Sequence, residues 1–197
     1  MAQPQSKPQH LTYRDYVHLP ADQRWELIDG EAVCMSPAPT TVHQRLVVAI
    51  LAQLVNQLAG KRCEPFVAPF DVLLPRADEA DDDVDTVLQP DIVVFCDPDK
   101  VRDKNARGAP DFVVEVLSPS TAGRDLVAKR RKYERAGVRE LWFVHPVDRV
   151  VFVLRLVDGR FVDGQPTELD GATAVGVLDG VSIDWTVACA RLGPVEP

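Results

Sequence analysis

The sequence predicts an α/β protein in the α+β sense: a mixed central β-sheet flanked by helices, with an N-terminal hairpin and further strands at the C-terminal end. Three observations carry this. A long apolar helix pattern, "PTTVHQRLVVAILAQLVNQLAGK", precedes a block of short apolar strands. A strand–helix–strand unit spans 110–144, the arrangement that makes two strands parallel through a right-handed crossover. Asp29-Gly30 sits between two apolar runs, a strong hairpin signal.

The elements follow in order. Residues 1–10 are polar and Pro/Gln-rich and read as a disordered tail, with one domain over 11–197. "LTYRDYVHLP" opens a short helix capped by Thr12. "WELIDGEAVCM" (25–35) is the hairpin. The long helix is capped by Thr40 or Thr41 and ended by Gly60, with enough apolar residues to be mostly buried. Strands are expected over 63–74, 87–97 and 110–118, with an acidic loop (77–85) before the second. After the "SPSTAG" turn comes a helix over roughly 125–136, ended by Gly137. "ELWFVHP" and "VVFVLRL" are strands joined by a turn at 146–148, and "GRFVDG" to "VSIDWTVAC" reads as a hairpin and a last strand or short helix.

The chain carries a net charge of −8, which at first argues against a nucleic-acid partner. Six of the acids crowd into 77–85, however, read as a solvated loop, and 99–140 holds eleven Lys/Arg against seven Asp/Glu, a balance of +4. The local field suits an anion even though the whole chain is acidic. Cys34, Cys63, Cys96 and Cys189 form no CxxC pair. They are expected as free thiols, with Cys34 and Cys96 buried, which favours a reducing cytoplasm. His43, Gln44, Arg45, Gln53, Asn56 and Gln57 interrupt the longest apolar helix, so it is not a membrane span.

"FVVEV" places Glu115 in the middle of a strand that reads as buried on both faces. A buried carboxylate needs a cation, from the protein or from a metal. Asp91 stands at the mouth of the apolar strand "QPDIVVF". Lys129 falls on the same helical face as Leu126 and Tyr133, with Lys132 toward the edge. One acid from each of two neighbouring strands and one lysine from the next helix can therefore converge. Asp111 is about 13 Å from Glu115 along its strand, too far to share one ion with it. Asp91, Glu115 and a strand-edge carbonyl, taken at Val116, make a hard-oxygen set for Mg2+ or Mn2+. A lysine beside such an ion can orient water or stabilise a pentavalent phosphate. That is equipment for phosphodiester hydrolysis. His43 reads as structural or supporting, Glu31 as a hairpin residue that could reach the cleft, Asp125 as a first-turn acid, and Tyr133 as a buried neighbour of the lysine. "LSPST" is no nucleophile elbow, and a glycosidase would need more aromatic platform than three Trp and three Tyr supply.

"QPDIVVF", "APDFVVEVLSPST" and "RDLVAKRRKYERAGVRELWFVHP", with "WELIDGEAV" and "PAPTTVHQRL" before them, resemble the family of putative restriction endonucleases within the PD-(D/E)XK nuclease superfamily, over roughly residues 12–185. The resemblance implies a restriction-endonuclease-like core, with Pro90-Asp91 matching the family's PD and Glu115 its second acid. The superfamily's usual lysine, two residues after that acid, is here Leu117. The resemblance implies that Lys129 supplies the amine from the helix instead. The expectation is a Mg2+- or Mn2+-dependent endonuclease acting on nucleic acid, DNA in the first place, as a homodimer in contact through "VSIDWTVACARL" and without a membrane. The alternative is a nucleic-acid-binding or interaction module that keeps the fold and has lost activity.

Overall fold

The computed structural model describes residues 10–35, 39–117 and 125–193. The tail expected over 1–10, apart from His10, and the "SPSTAG" turn lie outside the described residues, as do the side chains of Asp125 and Leu126.

The chain opens with α1 (Tyr13–Tyr16), where the Thr12 backbone N–H donates to the Asp15 carboxylate at 2.9 Å. Strands β1 (Trp25–Ile28) and β2 (Glu31–Cys34) form the expected hairpin. Its turn places Asp29 at φ 49° and Gly30 at φ 80°, the double left-handed geometry that Asp-Gly favours. Helix α2 (Thr41–Leu58) starts where the Thr40 hydroxyl accepts from the His43 N–H at 3.2 Å. Only one stripe of α2 is buried, through Leu46, Ile50, Leu54 and Leu58, while Val48 and Val55 face outward. The "mostly buried" expectation fails because the opposite face of the helix has no neighbouring element among the described residues.

Two expected strands each divide. Residues 63–74 become β3 (Glu64–Val67) and β4 (Asp71–Leu73), separated by a cis Ala68–Pro69 bond. Residues 87–97 become β5 (Val87–Leu88) and β6 (Ile92–Phe95), separated by Gln89-Pro90-Asp91. Pro69 and Pro90 have no N–H to give to a ladder, so the chain leaves one sheet and enters another at each. Then come β7 (Asn105–Arg107) and β8 (Phe112–Val116). The expected helix starts as a π-helical turn over Asp125–Lys129 and continues as α3 (Arg130–Ala136), with Gly137 left-handed at φ 92°. Strands β9 (Glu140–His145), β10 (Val150–Val157), β11 (Arg160–Asp163), β12 (Thr167–Glu168), β13 (Ala172–Ala174) and β14 (Ser182–Asp184) precede a last helix, α4 (Trp185–Cys189).

The strands form more than one sheet. The largest runs β11-β10-β9-β8-β6-β3, with β12 also on β10; a second runs β2-β1-β5-β4-β7; β13 and β14 pair separately. β8 and β9 are parallel, as the strand–helix–strand unit requires, and β6 and β8 antiparallel. In the large sheet, alternate residues of each strand serve two cores. Ile92, Val94, Phe112, Val114 and Trp142 face α2, whereas Val93, Phe95, Val113, Leu141 and Phe143 face the side that holds Tyr133 of α3 and Val72 and Leu88 of the second sheet. That double burial is why these strands read as unbroken apolar runs.

One face of the C-terminal segment expected as a dimer surface is core: Val181, Ile183, Trp185 and Ala188 are buried on the α2 side, and Trp185 lies 6.0 Å from Trp142 between ring centres, while Thr186, Val187, Ala190 and Arg191 are exposed. The polar interruptions of α2 explain how it is held. Gln57 exchanges hydrogen bonds of 2.8 and 3.0 Å with the Ser182 backbone, and Gln53 exchanges 3.2 and 2.8 Å bonds with Asp184. Two glutamines thus serve the strand edge as a neighbouring strand would. The thiol expectation is also corrected. Cys63 and Cys96, at the ends of the antiparallel β3–β6 pair, form a disulfide, and Cys34 is exposed. Cytoplasmic placement loses the support drawn from free thiols. The acidic loop is paired rather than simply solvated: Asp81 meets Arg102 and Arg107, Asp82 meets Arg14, and buried Asp85 meets Arg76. Among the described residues no helix is long and apolar enough to cross a membrane.

Candidate active site

Extending the Ile92↔Val114 register by one residue sets Asp91 across from Glu115. Asp91 has just left the β5–β6 break, so its carboxylate is free to turn. Its Oδ2 accepts from the Val116 N–H at 2.7 Å and lies 3.1 Å from His43 Nε2, in the first turn of α2. His43 Nδ1 is buried and has no hydrogen-bond partner among the described residues.

Glu115 belongs to the other core. Tyr133 donates its hydroxyl to Oε1 at 2.6 Å, and Lys129 Nζ lies 3.2 Å from Oε1 and 3.4 Å from Oε2. Lys129 and Tyr133 sit four apart on one face, so a single stretch of helix delivers the amine and the phenol. The same amine lies 2.8 Å from Glu26 Oε1. Glu26, in β1, also accepts from the Gln89 N–H at 2.9 Å, just before Pro90-Asp91. Glu26, Glu115 and Lys129 are each no more than 5% exposed.

Charge balance is the leading property of this cluster. Two buried carboxylates (Glu26, Glu115) share one ammonium, with the half-buried Asp91 paired to His43 beside them, and a buried excess of negative charge is expensive. Burial pushes the Glu115 carboxyl up to about 8, with Lys129 opposing and Asp91 and Glu26 adding to the rise. Burial and the neighbouring Glu115 also hold the Tyr133 phenol well above its ordinary value. The cluster can therefore be neutralised by a proton on Glu115 or by a divalent cation.

The expected residues divide into those brought together and those left out. Val116 and His43 meet the Asp91 carboxylate, and Lys129 and Tyr133 meet the Glu115 carboxylate one register position across. Glu31 reaches neither: it is exposed on β2, one hairpin turn from where an acid is used. The acid that does reach the site is Glu26, which sequence reasoning missed. Its signal was present, because "WELI" carries an acid inside an apolar run just as "FVVEV" does. Asp111 is occupied elsewhere, accepting from the Cys96 N–H at 2.8 Å and pairing with Arg139 at 3.0 Å. Lys132 is not at an open edge. It is 9% exposed and pairs with Asp29 of the hairpin turn. The hairpin turn that carries Asp29 packs over this edge of the helix and covers Lys132. Burial pulls the Asp29 carboxyl up, but Lys132 and Arg135 outweigh it and hold it below its usual range. The hairpin is thus tied to the helix twice, by Glu26–Lys129 and by Asp29–Lys132.

Among the described residues no three His, Cys, Asp or Glu side chains form a ready-made metal cage. The donor set still fits a hard cation such as Mg2+, which takes one or two carboxylates and keeps most of its water. Buried carboxylate oxygens in excess over cations are the observation that supports the fit.

The family described as "Putative restriction endonuclease" (Uma2) matches residues 13–188. The fold is similar to the crystal structure of a putative nuclease belonging to DUF820 from Anabaena variabilis. The two share 18% identity at a TM-score of 0.70, covering 91% of this chain and 98% of that one. No curated protein matches the chain.

Proposed function

The chain belongs to this family of putative restriction endonucleases, and we propose that it is a divalent-cation-dependent endonuclease that hydrolyses phosphodiester bonds of nucleic acid, DNA in the first place. The observation that carries the reading is the pair of buried acids, Glu26 and Glu115, around one lysine, with the half-buried Asp91 on the neighbouring strand. A binding module has no use for acids in its core, and a fold gains nothing from an uncompensated pair of them.

Asp91 and Glu115, with the Val116 carbonyl, would hold Mg2+ or Mn2+, and Glu26 adds a third carboxylate. The bound ion would polarise the phosphate and lower the pKa of a coordinated water. The chain's own residues do the rest. His43 and the Val116 N–H fix the Asp91 carboxylate. Tyr133 fixes Glu115. Lys129 Nζ, held between Glu26 and Glu115, orients the attacking water or meets the charge that develops on the phosphate. Leu117, at the superfamily's usual lysine position, is 2% exposed and belongs to the core, so in this reading the helix supplies the amine.

The second reading, an inactive nucleic-acid-binding module, draws on that same Leu117. Cleavage of supercoiled plasmid and of single strands with Mn2+, by wild type and Asp91→Ala, decides between them. Activity abolished in the variant supports the enzyme, and a wild type inert on both substrates supports the module. A two-fold dimer, which would let two sites cut two strands, is part of the proposal, and within the C-terminal segment only the exposed face at Thr186, Val187, Ala190 and Arg191 is open to such a contact. Sedimentation as a monomer would remove it.

A further inference from the structure

On the far side of α3 from Glu115, a cavity of about 1050 Å3 opens between that helix and the β9–β11 strands. Its walls carry four arginines, Arg130, Arg131 and Arg135 from α3 and Arg160 from β11, against two acids, Glu134 and Asp163. Among the lining residues that is an excess of two positive charges, on a chain whose net charge is −8, with Arg135 also paired to Asp29 of the hairpin turn at 3.2 Å. Arg130 pairs with Asp163 at 2.9 Å and Arg160 with Glu134 at 3.1 Å. Arg131 is exposed and makes no ion pair among the described residues. The floor is apolar, with Phe152 partly exposed beside buried Leu154.

We infer that this groove binds a single-stranded segment of nucleic acid, separate from the site that cuts. Three features fit that occupant. All four cations are arginines, whose planar forks match phosphate oxygens and stack on bases. The floor offers an aromatic ring and hydrocarbon where unpaired bases can lie, the combination found in sequence-tolerant strand binders. Val127 and Arg130, on either side of Lys129 in sequence, both line the groove, so it adjoins the stretch of helix that carries the amine. The choice of nucleic acid over other polyanions rests on the nuclease reading.

The test uses the full chain carrying Asp91→Ala, in EDTA, with a short fluorescein-labelled single-stranded oligonucleotide followed by anisotropy across a salt series. Adding Arg131→Ala and Arg160→Ala together should weaken binding about tenfold or more. It should also flatten the salt slope by about 1.4, roughly 0.7 for each phosphate that an arginine no longer neutralises. Glu134 keeps its 2.6 Å bond from the Phe161 N–H in this variant, so the hairpin stays anchored. Phe152→Leu, which preserves the packing, should weaken an ordinary strand and leave an abasic strand unaffected. Unchanged affinity and slope in the double arginine variant would overturn the inference. So would displacement of the strand by polyglutamate as readily as by unlabelled oligonucleotide, which would mark an acidic-protein site. Bis(p-nitrophenyl) phosphate with Mn2+, on the background that retains Asp91, separates the two proposals because so small a diester does not need the groove. Hydrolysis equal in wild type and the double arginine variant, with strand binding abolished, places the arginines in the groove's role alone. No hydrolysis by wild type, with arginine-dependent strand binding intact, leaves the groove standing and removes the nuclease.

Discussion

Replacing Lys129 by methionine removes the one ammonium that lies 2.8 Å from Glu26 and 3.2 Å from Glu115. Methionine keeps most of the volume and hydrocarbon, so packing changes little and the electrostatic loss stands alone. Taking one partner out of a buried ion pair costs about 3–5 kcal/mol, because the other charge is left uncompensated. Here two acids are abandoned, and Glu115, already pushed up to about 8 in the intact site, can escape by taking a proton. Sign follows from proton counting: the folded variant binds more protons than the unfolded chain, so its stability falls as pH rises. The loss relative to wild type should be small near about pH 5 and reach 3–5 kcal/mol above about pH 8. The assay is urea unfolding in EDTA at both pH values. With a slope of about 2 kcal/mol/M, the midpoint should drop by roughly 1.5–2.5 M at the higher pH. Adding Glu26→Gln should recover part of that, since coupled residues are not additive. A loss that is equal at both pH values, or under about 1 kcal/mol at the higher, would show that Lys129 does not balance buried acids.

The other predictions concern the same cluster and its support. Wild-type stability without metal should decline as pH rises from the ordinary carboxyl value of 4.5 toward about 8, because the folded state prefers the protonated Glu115; Glu115→Gln should flatten that decline in calorimetric melts. Lys129→Ala should slow single-turnover cleavage by on the order of 10²–10⁴ if the amine acts on water or phosphate, and Lys129→Arg should rescue poorly because its fork has another shape. Lys132→Ala should lose less than tenfold in rate, because its partner is Asp29 rather than the site acids; equal losses at 129 and 132 would move the role from one amine to the whole helix. Trp185→Ala should destabilise by about 3–5 kcal/mol in chemical unfolding, and a far smaller loss would return the C-terminal segment to the surface.

Much of the site was legible because acids inside apolar runs are conspicuous. Glu115 in "FVVEV" and Asp91 after Pro90 stand out against their neighbours, and the helical spacing of Lys129 and Tyr133 put both on one face. Glu26 carries the same mark. It went unread because the Asp-Gly turn beside it drew the stretch into a surface hairpin, and only β1's pairing with β5 in the second sheet buries it. The strand breaks at Pro69 and Pro90 were visible as prolines. Their consequence, a change of sheet, depends on partners far along the chain. Cys63 and Cys96 are 33 residues apart in sequence and meet only through the β3–β6 register, which no local pattern specifies. The burial of Lys132 comes from Asp29 of the hairpin turn, a partner 103 residues away that helix periodicity cannot specify. The glutamines of α2 read as interruptions of a helix, whereas their function is to hold the edge of a strand more than a hundred residues away.

Single-turnover cleavage of labelled DNA at saturating Mn2+, by Glu26→Gln, Asp91→Ala, Glu115→Gln and Glu31→Gln beside wild type, tests the central claim most directly. Substitution of each of the three site acids should abolish or severely slow cutting, with folding confirmed by circular dichroism, and exposed Glu31→Gln should cut at the wild-type rate. Cutting at the wild-type rate by Asp91→Ala or Glu115→Gln, or an equal loss in Glu31→Gln, would contradict the account.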